Sequence, residues 1–200
     1  MSASTRLALG LAGIAATASV VRRDRVGARE LRAFRAVNDL PDGLYRPVWV
    51  VMQAGALGAA PVAAAVACRT GRSRLAVQLL ADGVSAWFAA KGVKRFVQRP
   101  RPVALVNGTR FRGQEATGLG YVSGHAAVVT ALATAALPHL GPRGRAAVSV
   151  VVPTVGGGRV YVGAHLPLDV VGGAAVGLAV DAAVALLVAR LRSRSGQRGR

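Results

Sequence analysis

The sequence predicts an all-α fold, a polytopic membrane bundle of about six transmembrane helices. Three observations predict it. Uncharged apolar runs of bilayer-crossing length recur along the chain, and the arginines and lysines collect between them. Mean hydropathy is +0.42, with 52% hydrophobic residues. That apolar load is Ala, Val, Leu and Gly, aromatics being only 4%, and small side chains let helix backbones approach closely in lipid. The 200 residues are expected to form one membrane-embedded domain, with a basic connecting segment over 22–46 and a basic tail over 192–200.

Leu7 to Val21 is the first apolar segment. It spans about 22 Å as helix, and its Ala16-Thr17-Ala18 run resembles a signal-peptide end, but a retained first transmembrane helix is the preferred reading. Arg29 to Asn38 reads as an amphipathic surface helix, with Leu31, Phe34 and Val37 at helical spacing. The turn formers from Asn38 to Gly43 end it. Pro47 to Cys68, uncharged and bounded by Arg46 and Arg69, reads as one span, kinked at Pro61. Leu75 to Ala90 is shorter, contains Asp82, and can extend towards Gln98. Leu119 to Leu140, Ala146 to Gly163 and Pro167 to Leu191 complete the set, the last carrying Asp169 and Asp181. Asp82 and Asp181 fall mid-helix, where a carboxylate needs a partner, and a structural role is expected for both. His139, between Pro138 and Leu140, reads as a helix-end residue.

A formal net charge of +18 points to an anionic partner. Nucleic acid is excluded as that partner, because basic faces interleaved with aromatics are missing; anionic lipid head groups fit the charge better. With the N-terminus inside, both sides of the membrane are about equally basic, so the positive-inside rule does not fix the orientation. The single cysteine, Cys68, forms no intrachain disulfide and is expected to be a structural thiol. Oligomeric state is not legible.

Three clusters place cationic or histidine residues at the edges of apolar helices. In the first, Lys94 and Arg101 share a face if helix continues through Arg101, whereas Pro100 and Pro102 argue for a turn that presents Arg101. In the second, Tyr121-Val122-Ser123-Gly124-His125 heads an apolar helix, whose free N–H groups suit a phosphate. Ser123 is also a fitting N-cap, Gly124 admits an anion close to the backbone, and His125 can pass a proton. In the third, Arg159 precedes His165 and Asp169, which stand four apart and can face one another across a helical turn. A carboxylate on one imidazole nitrogen fixes the tautomer and leaves the other free. The bland reading of that pair is a capping Asp beside a buried histidine.

Together the clusters resemble the type 2 phosphatidic acid phosphatase superfamily, whose pattern reads K-x6-R-P, then P-S-G-H, then S-R-x5-H-x3-D. Lys94 with Arg101-Pro102, then Ser123-Gly124-His125, then Arg159, His165 and Asp169 fit it in order and spacing. Val122 stands where Pro is usual and Gly158 where Ser is usual, departures that touch substrate fit rather than reaction type. The resemblance covers roughly Leu75 to Leu191 and leaves residues before Arg46 unexplained. It implies a membrane phosphatase with a catalytic core over 75–191, acting on a lipid phosphate such as phosphatidic acid, undecaprenyl diphosphate or another polyprenyl phosphate of the cell envelope. Lys94, Arg101, Arg159, Ser123 and Gly124 would bind the phosphoryl oxygens. His165 would attack phosphorus, Asp169 would orient it, and His125 would protonate the leaving group. Neither metal nor cofactor is expected. A multi-pass cell-membrane location follows, with the site facing the extracytoplasmic side. The long apolar segments argue against a soluble haloperoxidase relative, and the intact motifs against a binding protein that has lost its chemistry.

Overall fold

The computed structural model describes residues 1–114 and 117–198, with side chains through Leu191 and at Ser193. Among these residues every regular element is helical: α1 (Ala3–Arg23), α2 (Ala28–Asn38), α3 (Tyr45–Met52), α4 (Ala59–Arg69), α5 (Ser73–Val97), α6 (Gly124–Ala136), α7 (Pro142–Tyr161) and α8 (Pro167–Arg198). The expected 192–200 tail continues α8 as far as Arg198, and residues 199–200 lie outside the described residues.

The sequence pattern explains the placement of each helix. α6 is apolar on all sides and is buried on all sides, with Ala126, Ala127, Val128, Val129, Ala131, Leu132 and Ala135 in the core. Packing around it is set by residues too small to hold helices apart. A Cβ on Gly173 or Gly177 of α8 would stand 2.3 Å from the carbonyl oxygens of Ser123 and Ala127 on α6. α1 lies along α8 in the same way, Gly10 against Ala179 and Gly13 against Ala175. Polar links then fix the register of α1: Thr17 Oγ1 is 2.7 Å from Tyr121 Oη, and Arg6 Nε is 2.9 Å from Asp181 Oδ2. The outer faces stay apolar, with Val62, Val77, Phe88 and Val150 all exposed. A large exposed apolar surface of this kind suits a lipid solvent rather than water.

By length and composition α1 and the Pro167–Leu191 part of α8 are long and apolar enough to cross a membrane. The first apolar segment is therefore a full helix of 21 residues, longer than Leu7–Val21, and an integral part of the bundle. The expected single span Pro47–Cys68 is instead broken into α3 and α4, bent by 70°, and together these make up to three crossing elements. Pro61 does not cause the break. It sits inside the first turn of α4, where a proline is tolerated, and the chain turns earlier, through Gln53–Gly55 and Gly58. The expected Leu119–Leu140 helix begins only at Gly124 and gives way at Leu137–His139 to a 3-10 turn that holds His139, so α6 is about 20 Å long. α5 has the length to cross at 25 residues, yet carries charges from Arg74 to Arg95. The expected count of six spans thus has two helices that meet it outright. Cys68 is exposed on α4 and is no core thiol, because its neighbour Ala67 takes the inward position.

α2 forms where its periodicity places it, with Phe34 buried and Leu31 and Val37 packed beside it. It is more than a surface helix. Glu30 and Asn38 are also buried, and Asn38 donates to the carbonyls of Arg110 and Tyr161 at 2.9 and 3.0 Å.

Candidate active site

One end of the bundle gathers the end of α5, the start of α6, the end of α7 and the start of α8 around a cavity of about 340 Å³. Six of the eight residues singled out from the sequence line it: Lys94, Arg101, Gly124, His125, Arg159 and His165. Asp169 lies behind His165, fully buried. Ser123 is not on the cavity wall; it is fully buried and caps α6, its Oγ accepting from the Ala126 N–H at 3.4 Å. The structure thus shows the capping bond expected of Ser123.

Each position has a local cause. α5 ends at Val97 because Gln98 takes the left-handed conformation (φ 51°) and prolines follow. Lys94 and Arg101 thus share no helical face; Arg101 comes from the turn beyond. Both cations are braced by the loop they embrace. Lys94 Nζ donates to the Leu119 and Gly120 carbonyls, each at 2.9 Å. Arg101 donates through Nε to Thr117 O at 2.9 Å and through Nη1 to Ala164 O at 2.8 Å. Arg159 differs: its Nε is buried without any hydrogen-bond partner among the described residues. An unpaired guanidinium nitrogen beside a cavity calls for an acceptor that enters from outside.

His165 sits in the turn between α7 and α8. Gly163 makes this turn with φ 73°, a conformation side chains rarely adopt, and a Cβ there would meet Arg110 O at 2.6 Å. The Ala164 and His165 N–H groups donate back to Arg159 O at 3.1 Å each, so the turn is fixed against α7. His165 therefore precedes α8 and does not lie on a helical turn with Asp169. The pair meets because Asp169, in the first turn of α8, reaches back: its Oδ2 accepts from Leu166 N–H at 2.9 Å and stands 3.6 Å from His165 Nδ1. One carboxylate both caps the helix and faces the imidazole. Burial pushes the imidazole down from the ordinary histidine range to about 3, and nearby Lys94 and Arg159 push the same way against Asp169. His165 is thus neutral, with Nδ1 turned to the carboxylate.

Several residues at this end were not singled out from the sequence. Trp87, Ala90 and Lys91 join Lys94 on the cavity wall. Their i, i+3, i+4 and i+7 spacing on α5 is the signal that finds them once Lys94 is placed. The Trp87 ring lies 6.2 Å from that of His125, between centroids. Arg99, inside the same basic cluster, is fully buried and donates to Asp169 Oδ1 at 2.7 Å. Among the described residues no group of three or more His, Cys, Asp or Glu side chains converges as a metal site does.

The fold is found in known proteins. A search of curated protein sequences finds no significant match. Among solved structures, Aquifex aeolicus LpxE superposes with a TM-score of 0.69 at 21% identity, over 79% of this chain and 95% of that one. The first transmembrane PAP2 type phosphatidylglycerolphosphate phosphatase from Bacillus subtilis superposes at 0.68 with 19% identity, over 91% and 96%. At such identities these likenesses establish a shared fold. The PAP2 superfamily profile matches residues 73–193, more than half of the chain and every helix end that meets at the cavity. With its three motifs in order and six of their residues around one cavity, the chain belongs to the PAP2 superfamily.

Proposed function

We propose that this protein is an integral-membrane lipid phosphate phosphatase that works through a phosphohistidine on His165. The observation that carries the reading is the cavity itself. Four cations (Lys91, Lys94, Arg101 and Arg159), a helix N-terminus and two histidines face one space of about 340 Å³, and a buried carboxylate backs one of the histidines.

A phosphoryl group in that space takes charge-assisted hydrogen bonds from Lys94, Arg101 and Arg159 and an N–H from the first turn of α6 at Gly124. Asp169 keeps the proton on His165 Nδ1, so Nε2 holds the lone pair and attacks phosphorus. Burial holds the His125 imidazole down to about 3, so the proton it carries in this step comes from the bound phosphoryl monoanion. The N–P bond forms as the P–O bond to the lipid breaks, and His125 passes that proton to the departing lipid oxygen. Water then attacks the phosphohistidine, His125 takes one water proton, the N–P bond breaks, and inorganic phosphate leaves. Phosphoryl transfer depends chiefly on positioning and charge stabilisation, and fixed cations in a water-poor pocket supply both.

The substrate class is a phosphomonoester or diphosphate of a lipid. The Bacillus subtilis neighbour is named for phosphatidylglycerolphosphate, which joins phosphatidic acid and polyprenyl phosphates as a candidate. The C-terminal end of α1 lies at the site end of the bundle, Arg22 donating to Phe96 O at 3.1 Å and Arg99 to Arg25 O at 3.0 Å. If α1 spans with its N-terminus inside, the site opens to the extracytoplasmic face.

The test is phosphate release by the detergent-purified protein from phosphatidic acid, phosphatidylglycerolphosphate, undecaprenyl diphosphate and a polyprenyl-phosphate sugar phosphate, with EDTA throughout. Release that survives EDTA and disappears in His165→Ala is the expected result. Turnover retained by His165→Ala removes the phosphohistidine mechanism, and release abolished by EDTA removes its metal independence.

A further inference from the structure

The segment before Arg46 lies outside residues 73–193, yet one of its side chains reaches the region behind the cavity. Glu30, in the first turn of α2, is 8% exposed and binds the guanidinium of Arg99, which is 2% exposed. The bond is bidentate, Nη2 to Oε2 at 2.6 Å and Nη1 to Oε1 at 3.1 Å. Nη1 also donates to Asp169 Oδ1 at 2.7 Å. Nε and Nη2 donate to Arg25 O, from the turn between α1 and α2. A guanidinium has five N–H groups, and here each has an acceptor. Glu30 Oε1 accepts in addition from Leu168 N–H at 2.9 Å, the residue next to Asp169.

The guanidinium therefore has little freedom to turn, and both routes from Glu30 end on Asp169: one through Arg99, one through the backbone of α8. Asp169 in turn has one oxygen on Arg99 and the other on Leu166 N–H beside His165 Nδ1. His165 is faced by Asp169 from α8, Lys94 from α5 and Arg159 from α7, with Arg101 and His125 on the same cavity wall. Of these, Asp169 is the group that the buried network holds.

We propose that Glu30 and Arg99 are positioning residues for phosphoryl transfer: α2 clamps the guanidinium, and the guanidinium sets the angle at which Asp169 meets His165. The proposal rests on the reading of His165 as nucleophile. Its rival is that the ion pair merely anchors α2 to the bundle. Anchoring alone predicts that substitutions lower the yield of folded protein and leave the turnover of the folded fraction unchanged. Positioning predicts that kcat falls while KM stays, because neither residue lines the cavity.

The experiment uses the full chain in mixed micelles of phosphatidic acid, with Glu30→Gln, Glu30→Asp and His165→Ala. Glu30→Gln keeps the side-chain shape and an acceptor for Leu168 N–H, and loses the charge that clamps Arg99. The expected result is a fall in kcat of tenfold or more with KM within twofold, in protein that elutes as wild type, and partial recovery of kcat in Glu30→Asp. Wild-type kcat in folded Glu30→Gln overturns the proposal. A second readout does not need turnover: the ring-nitrogen resonances of His165 in histidine-labelled protein, assigned by difference against His165→Ala. They are expected to shift in Glu30→Gln, and unmoved resonances overturn the proposal even if phosphatidic acid is not hydrolysed. Turnover retained by His165→Ala overturns the nucleophile assignment instead, whatever Glu30→Gln does.

Discussion

Replacing Asp169 by asparagine removes one charge from a fully buried position while keeping the side-chain outline. The carboxylate now has three neighbours: Arg99 Nη1 at 2.7 Å, Leu166 N at 2.9 Å and His165 Nδ1 at 3.6 Å. All three present hydrogen in the working tautomer, and an asparagine has one acceptor oxygen for them. If its oxygen faces Arg99, the amide NH2 meets the imidazole and drives the proton to Nε2, the atom that attacks in the proposed mechanism. If its oxygen faces the imidazole, the NH2 meets the guanidinium. Either way the imidazolium-like charge that develops on His165 loses its counter-charge. Where a carboxylate orients a histidine in this manner, the loss is about 10⁴ in kcat at most, or about 5 kcal/mol. We expect a fall of about 10³ to 10⁴ in kcat with KM changed less than threefold, because Asp169 does not reach the cavity wall. The assay is phosphate release normalised to folded, monodisperse protein, because breaking the Arg99 pair also costs about 3–5 kcal/mol of stability. A kcat within tenfold of wild type, or a rise in KM alone, refutes the orienting role.

Arg159→Met removes a guanidinium whose Nε has no hydrogen-bond partner among the described residues. Thermal stability is expected to hold, while kcat/KM falls by about 10² or more in the phosphate-release assay. Gly173→Ala places a methyl 2.3 Å from Ser123 O, where backbone must shift. It should lower the melting temperature at a cost of about 1–3 kcal/mol and reduce activity by moving the start of α6. Gly157→Ala on α7 meets nothing within 4 Å and is expected to leave activity intact, raising stability by about 0.5–1 kcal/mol. A buried neutral His165 also sets a pH dependence of stability. Its folded value of about 3 lies below the ordinary 6.5 of the unfolded chain. Its contribution is thus fully present above pH 6.5 and is lost as pH falls towards 3. Between pH 7.5 and pH 5 wild type should lose about 2 kcal/mol more than His165→Asn, measured by thermal unfolding in detergent. Equal losses would remove the neutral-histidine assignment.

What was legible in the sequence follows from how local each signal is. Helix identity, the terminal position of His125 and the turn formers after Asn38 depend on neighbours in the chain, and they hold. The span Pro47–Cys68 misled because hydropathy counts residues without regard to direction: nothing in an uncharged Ala- and Gly-rich run marks a 70° bend. Ser123 carried two readings, cap and phosphate ligand, and the capping bond is the one the fold displays. The Glu30–Arg99–Asp169 network was not legible at all, since its members lie 69 and 70 positions apart. A glutamate on a basic amphipathic helix reads as solvated until the far end of the chain is packed on it. Asp82 and Asp181 are a middle case. Their mid-helix position marks them as unusual, Asp181 finds Arg6 at 2.9 Å, and both Asp82 oxygens are buried with no hydrogen-bond partner among the described residues.

The cations of the site divide in a way that bears on how phosphate is bound. Lys94 and Arg101 already hold the carbonyls of Thr117, Leu119, Gly120 and Ala164, so ordering them costs little when a ligand arrives. Arg159 Nε has no such tether among the described residues, and bonding it to a phosphoryl oxygen satisfies a donor those residues leave open. Arg159 is also the residue whose carbonyl receives both N–H groups of the His165 turn. A phosphoryl oxygen drawn to the Arg159 side chain is therefore drawn towards the segment that holds the proposed nucleophile. That coupling predicts a difference between lysine replacements. Arg101→Lys keeps a charge but loses the fork that spans Thr117 O and Ala164 O, so the loop should loosen and KM should rise. Arg159→Lys loses the open donor itself, and kcat should fall further than KM rises. Identical kinetic changes in the two variants would show that Arg101 and Arg159 act as an undivided pool of charge rather than as one fixed cation and one waiting.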